Sequence, residues 1–542
     1  VPVGSVEVKN SSISLNGEDG ASLTFSLGHS IGAGMFQYPE AYSEKEDLKG
    51  VRVDWSPPEK EDETAAQLSF LNSYQSERIE GSIPFFSIVG ESESYLCTTG
   101  GNAEIDSEGA LNIRFAGDKK EAGESGCFIT PYEGDDPLRY WFFADSQTED
   151  SEAYRELFRQ WRDNSYEGWG SRYVSEESTW RNGDEGVRTF ESIMTAYAAE
   201  TMRLESSTGL ENFSSAMDAY GGRHGFFSSP YLGNIIGNDG DYSGTEESMA
   251  ENIRGFIDNG SPELFSEEEN LIRFFIWYGD ESLTEDFDEY TDELELSSFE
   301  DPEALVNLFS TAMEAVDQYP ERFPLLVDRV DEIYAAVLKR IVRFENTVLF
   351  PTEENAADTR VTLTLSLALM EYGDLRDNSL AEDIGAGMGV DVMGEMDENG
   401  FLPSSFVIEE GEVVPGREDL APEKVYPLLT SNKFYPHLVS LSDELDYNVR
   451  LWTVAESVEA DMDGDELSIS LAFAEGETQY VAIRGIPSFS RFEIYGMRWG
   501  SDSRFQTYRV GGWSYDRDTR TLYAKIQHKD RVESLVMNGV EG

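Results

Sequence analysis

The stretch Ser151-Glu152-Ala153-Tyr154-Arg155-Glu156-Leu157-Phe158-Arg159-Gln160-Trp161 decides how the chain divides. Tyr154, Leu157, Phe158 and Trp161 recur at the i, i+3, i+4, i+7 spacing of an amphipathic helix. Upstream the texture is different. Val3–Val8, Ser22–Leu27, Ser82–Val89, Leu111–Phe115 and Tyr140–Ala144 are short, apolar or β-branched, and separated by polar turns such as Asn16–Gly20. Alternation along Ser22–Leu27 gives each strand a wet and a dry face. The first 148 residues therefore read as a β-sandwich.

Downstream the helical period continues to about Met396. Helices are expected at about 187–204, 209–219, 246–258, 266–278, 302–318, 323–345, 358–372 and 379–396. Asp301-Pro302-Glu303 and Ser261-Pro262-Glu263 supply a cap followed by proline at the first helical position. So many helices exceed a simple bundle and suit an α/α toroid built of helical hairpins. At Gly400 the pattern reverts. Strands are expected at Ser404–Ile408, Val449–Ala455, Glu466–Phe473, Tyr480–Ile483, Phe492–Met497 and Thr521–Gln527, with a hairpin turn at Met462-Asp463-Gly464-Asp465. The fold class is multidomain α+β: an N-terminal β-sandwich (1–148), an α/α toroid (149–400) and a C-terminal β-sandwich (401–542). No repeat or low-complexity linker separates them, so the domains are expected to pack together.

This order resembles carbohydrate-active enzymes with an (α/α)6-type toroid, among them inverting glycoside hydrolases, phosphorylases and polysaccharide lyases. The segment Glu395-Met396-Asp397-Glu398-Asn399-Gly400-Phe401-Leu402-Pro403 is similar to the helix-to-sandwich passage of such enzymes. Gly512-Trp513-Ser514-Tyr515-Asp516 with Thr521-Leu522-Tyr523-Ala524-Lys525 is similar to the last strands of their appended sandwiches. The resemblance implies a glycan substrate and paired carboxylates in a toroid cleft.

Composition narrows the alternatives. The 542 residues include 106 acidic and 41 basic ones, a formal charge of −65. That balance excludes a phosphate-binding field and docking on an anionic membrane. Aromatic residues make up 12% and argue against acidic disorder. Lysine is scarce, with none between Lys120 and Lys339, as expected of adaptation to salt. Cys97 and Cys127 are read either as a disulfide or as two buried thiols. No run reaches membrane-spanning length, no leader opens the chain, and the start Val1-Pro2-Val3 is that expected of a trimmed protein. A secreted or periplasmic location is expected.

The four histidines, without HExxH or CxxC, disfavour a zinc enzyme, and no GxSxG or P-loop is present. Gly385-Ala386-Gly387 is assigned to helix packing. The Gly-rich, aromatic stretch Asp218–Glu247 lies between two expected helices, and a loop this long inside a compact domain is often functional. Tyr220, Arg223, His224, Phe227, Tyr231, Asn234 and Tyr242 are candidate sugar contacts; an ordered surface loop is the bland alternative. Tyr435 and His437, in Ser431–His437, are candidates for the cleft rim or for a domain junction. Hydrolysis needs two carboxylates. Asp239 and Asp241 follow the aromatic loop, and Glu354 and Asp358 stand at a helix entry, where an N-cap is the better reading of Asp358. No metal or cofactor is expected, although Asn238–Asp241 offers carboxylates to Ca2+ without the full spacing of a calcium loop. The leading expectation is a glycoside hydrolase. A lyase using Tyr220, Arg223, His224 and Asn234, and a non-catalytic glycan-binding surface protein, are the alternatives. From Arg484 to Arg531, 8 Arg and 2 Lys face only 5 acids; the preferred reading is a sandwich face docked on the acidic helices, rather than a polymer-binding face.

Overall fold

A computed structural model describes residues 148–540 apart from 182–190, 221–224, 236–242, 269, 297–298, 339, 345–346, 354–355, 377, 410–411, 443–444 and 446, together with the strand backbones between Val3 and Phe143. The molecule is mixed helix and sheet. The N-terminal strands form a six-stranded and a seven-stranded sheet. In the larger one, strand Arg139–Phe143 lies between the strands that carry Cys97 and Cys127. Two inter-strand spacings of about 4.8 Å separate the backbones at these two positions.

The helices are α1 (Thr148–Arg172), α2 (Glu191–Arg203), α3 (Ser207–Ala219), α4 (Ser229–Leu232), α5 (Ser243–Asn259), α6 (Leu264–Glu267), α7 (Leu271–Tyr278), α8 (Glu281–Glu293), α9 (Pro302–Gln318), α10 (Pro324–Asp328), α11 (Val330–Leu338), α12 (Thr359–Arg376), α13 (Ser379–Met393) and α14 (Pro422–Leu429). Helix α9 is capped as its sequence predicts: Asp301 accepts from Glu303 N at 3.0 Å and Pro302 opens the first turn.

Two expected helices change, and two acidic stretches take on structure. The single helix at 266–278 is broken, because Asn270 takes a left-handed conformation (φ 58°) between α6 and α7. The helix at 323–345 ends at Leu338 and gives way to the hairpin Val342–Phe344/Thr347–Leu349. The acidic stretch before Glu423 forms the paired strands Ser405–Glu409 and Glu412–Pro415, and Pro422 then starts α14. The acid run at 284–289 belongs to α8, and Asp288 is not solvated: it is buried and accepts from Leu325 N and Leu326 N at 3.1 and 3.0 Å, capping α10.

Helix directions follow from contacts. α12 and α13 form a tight antiparallel hairpin in which a Cβ on Gly385 would lie 2.5 Å from Ser366 O and one on Gly389 2.5 Å from the Tyr154 ring. Gly385 thus has the packing role expected of it. Ser151 bonds Glu382 (2.9 Å) and Trp161 bonds Gly400 O (3.0 Å), so α1 runs parallel to α13. α11 runs back along α9, with Tyr334 between Phe309 and Tyr372 at ring distances of 6.1 and 4.1 Å.

The C-terminal region is a two-layer sandwich of five-stranded sheets. Leu451, Ile483 and Leu522 of one sheet meet Leu467, Ile469, Leu471, Leu535 and Met537 of the other in one buried cluster.

The sandwich docks on the helices through a few side chains. Arg484 pairs with Glu246 at 3.0 Å, and Arg450 donates to Ile276 O at 2.6 Å. Gln506 accepts from Ile235 N at 2.6 Å. Other cations of the basic stretch pair within the sandwich, Arg491 with Glu493, Arg504 with Asp502 and Arg531 with Glu456. Docking thus uses Arg484 rather than the whole stretch.

Candidate functional site

A groove runs along α9 and α12. On α9, Glu303, Asn307, Thr311, Glu314 and Gln318 form one polar stripe; on α12, Arg360, Thr364 and Glu371 form another. The helices are parallel. Glu303 and Arg360 share one end of the groove, whereas Glu371 lies in the field of Glu314 and Asp317 at the other. The α9 stripe spans about 22 Å. The groove comprises two adjoining cavities of about 320 and 510 Å3, both bordered by Phe227, Glu303, Arg360, Lys424 and Pro427.

Its aromatic wall comes from the loop singled out in the sequence. Phe227 is 40% exposed, with its ring 5.4 Å from Tyr435 and 5.6 Å from Trp452. Glu191, in the first turn of α2, holds this loop. Its carboxylate accepts from Gly225 N at 2.9 Å, Ser228 Oγ at 2.6 Å and Tyr220 OH at 3.5 Å. At the other wall, Arg273 of α7 pairs with Glu314 at 3.2 Å.

The carboxyl groups differ in environment. Burial, then the charges of Asp317 and Glu314, push Glu371 up to about 7. Burial also pushes Glu314 up, but the Arg273 guanidinium opposes it. Asp358 accepts from Arg360 N and Val361 N at 2.8 and 3.0 Å, so it caps α12 while bordering the groove. Glu423 is turned inward to Trp169 Nε1 (3.0 Å) and Arg172 (2.9 Å).

Other candidates from the sequence fall in varied places. Tyr231 is buried, its hydroxyl donating to Phe434 O, and it cannot reach a ligand in the groove. Tyr220 supports Glu191. Asn234 takes φ 62° in a turn that packs Gly233 on Tyr480 of the sandwich, a conformation asparagine tolerates. Tyr435 borders the groove, and burial pushes its hydroxyl up. His437 bonds Tyr435 O at 2.8 Å, and burial pushes its imidazole down. Asp239, Asp241, Tyr242, Arg223, His224 and Glu354 lie outside the described residues. Sequence reasoning missed Glu191, Arg273, Glu314, Arg360, Glu371 and Lys424. The signal was present as matching polar positions on two otherwise apolar helices. Among the described residues, no group of three or more His, Cys, Asp or Glu could hold a metal ion, and no helix is long and apolar enough to cross a membrane.

No family model and no curated protein matches the chain. Among solved structures it is similar to one described as a polysaccharide lyase, at 8% identity over 79% of this chain and 88% of that one, with a TM-score of 0.31. It is also similar to an α-1,6-mannanase from Salegentibacter sp. HEL1_6 (9% identity, 49% of this chain and 59% of that one, TM-score 0.18). A dextranase from Flavobacterium johnsoniae gives 10% identity over 98% of this chain and 92% of that one, with a TM-score of 0.18. These neighbours are carbohydrate-active enzymes. Values this low do not establish a shared fold.

Proposed function

We propose that the chain is a glycoside hydrolase whose glycan lies in the α9/α12 groove. The observation that carries this reading is the meeting, in one groove, of an exposed aromatic platform, Phe227, with two carboxyl groups in contrasting environments, Glu371 and Glu314. Phe227 offers a flat apolar face to a sugar ring. Glu371, pushed up to about 7 and so still partly protonated near neutral pH, gives its proton to the leaving glycosidic oxygen. Glu314, whose upward shift on burial is opposed by the Arg273 guanidinium, acts as the second carboxylate, either activating water or attacking the sugar. Asn307, Thr311 and Thr364 supply hydroxyl and amide partners along the stripe.

In this reading the helical region is an α/α toroid. The support is the parallel pair α9 and α12, with α11 and α13 running back beside them. The division into 1–148, 149–400 and 401–542, secretion, and adaptation to salt belong to the same proposal. A second reading is β-elimination on a uronate glycan. It is favoured by Tyr435 at the groove and by Arg273, whose charge reaches both Tyr435 and His437. A glycan screen at low and high salt tests both. Release of reducing ends without new ultraviolet absorbance supports hydrolysis; growth of that absorbance on uronate polymers supports elimination.

A further inference from the structure

A further cavity, of about 890 Å3, opens where the helices meet the sandwich. Arg450 lines it and is 6% exposed. Buried cations are ordinarily paired. Among the described residues, Arg450 has no carboxylate within ion-pair distance; it donates from Nη1 to Ile276 O at 2.6 Å. That bond caps the C-terminus of α7 and accounts for one nitrogen. Nε is buried without a partner, and Nη2 has none among the described residues. Nε has no surface open to a ligand, so Nη2 is the guanidinium nitrogen left to donate to a carboxylate or sulfate.

The surroundings reinforce this. Arg450 sits directly opposite Arg484 in the antiparallel ladder, and Arg322 borders the same cavity. Burial, then the charges of Arg484 and Arg322, pull the Arg450 guanidinium down to about 10 against a smaller opposing pull from Glu246, so an added negative charge is favoured. Asn448 brings an amide to the cavity wall. Glu281, an acid at the wall, is a weak competitor: it is 75% exposed and stands 3.8 Å from Arg322. Gly279 is required for the arrangement, because a Cβ there would lie 2.0 Å from Arg450 Nη1.

We propose that this cavity is an oxyanion site in which Arg450 Nη2, assisted by Arg322, binds a carboxylate or sulfate group. Gln318 borders both this cavity and the groove, so a glycan in the groove can present such a group as a substituent. The site itself does not depend on the hydrolase reading.

The test is calorimetric titration of sodium sulfate and of sodium glucuronate into the full chain, with ionic strength held constant by sodium chloride. Saturable binding of either anion at one site per chain is expected. Arg450→Lys keeps the charge but has one nitrogen for both the α7 cap and the anion, and should weaken binding at least about tenfold. The exposed Arg322→Gln should weaken it several-fold without affecting folding. Glu371→Gln should bind the anion as the native chain does, which separates this site from the groove chemistry. Absence of saturable binding, or native affinity in both arginine variants, overturns the proposal.

Discussion

Replacing Arg484 with methionine should unlatch the sandwich from the helices. Glu246 is largely buried and accepts from Trp277 Nε1 at 2.6 Å and from Arg484 Nη1 at 3.0 and 3.1 Å. The guanidinium also lies over the Trp277 ring at 5.6 Å. Removing one partner of a buried pair costs about 3–5 kcal/mol because the other charge stays desolvated. Here Trp277 still donates and methionine fills part of the space, so about 3 kcal/mol is expected. Glu246→Gln alone should cost less, because the amide oxygen still accepts from Trp277. The double variant should recover at least about 1 kcal/mol relative to the sum of the single changes. Urea unfolding followed by tryptophan fluorescence measures all three, since Trp277 and Trp452 are buried at the junction. Because the pair is largely buried, raising salt should change the difference little. A loss below about 0.5 kcal/mol for Arg484→Met, or simple additivity, would remove Arg484 from its docking role.

Phe227→Ala should weaken glycan binding with little loss of stability, because the ring is 40% exposed; titration with oligosaccharides and urea unfolding check the two halves. Glu314→Gln removes a negative charge near Glu371, so the Glu371 pKa should fall. Burial is the larger cause and Asp317 precedes Glu314, so the Glu371 pKa should fall by less than about one unit, read by NMR titration of the Glu371 carboxyl in the two proteins. His528 is fully buried, bonded to Gln479 at 2.8 Å, and burial lowers it to about 4. The unfolded chain protonates this histidine first, so its contribution to stability is intact above about pH 6.5 and falls by roughly 3 kcal/mol as pH drops towards 4. His528→Gln should flatten that part of the stability–pH curve. Gly385→Val should destabilise by about 1–3 kcal/mol through overpacking against Ser366 O, measured by urea unfolding.

Much of the architecture was legible in the sequence because it is written in periodicity. The cap and apolar spacing at 301–318 define α9, and strand 521–527 falls where its composition places it. What escaped depended on tertiary context. Nothing local marks Asn270 as a left-handed break, and Asp288 resembles its solvated neighbours until α10 arrives to be capped. The groove was half legible. The aromatic loop drew attention to Phe227, but Glu314 and Glu371 sit among 106 acids and look like any wet helix face. Only the parallel placement of α9 and α12 brings their stripes together. Asp358, conversely, was readable as a cap from its position before Thr359 and Arg360, and its carboxylate performs that role.

The decisive experiment compares turnover of a panel of neutral and acidic glycans by the native chain and by Glu371→Gln, at low and high salt, with glycan binding measured in parallel. Expected are release of reducing ends by the native chain, at least about a hundredfold loss in the variant, and unchanged binding. Equal turnover by the two proteins, or no turnover of any glycan by the native chain, would show that Glu371 is not the acid of a glycosidase.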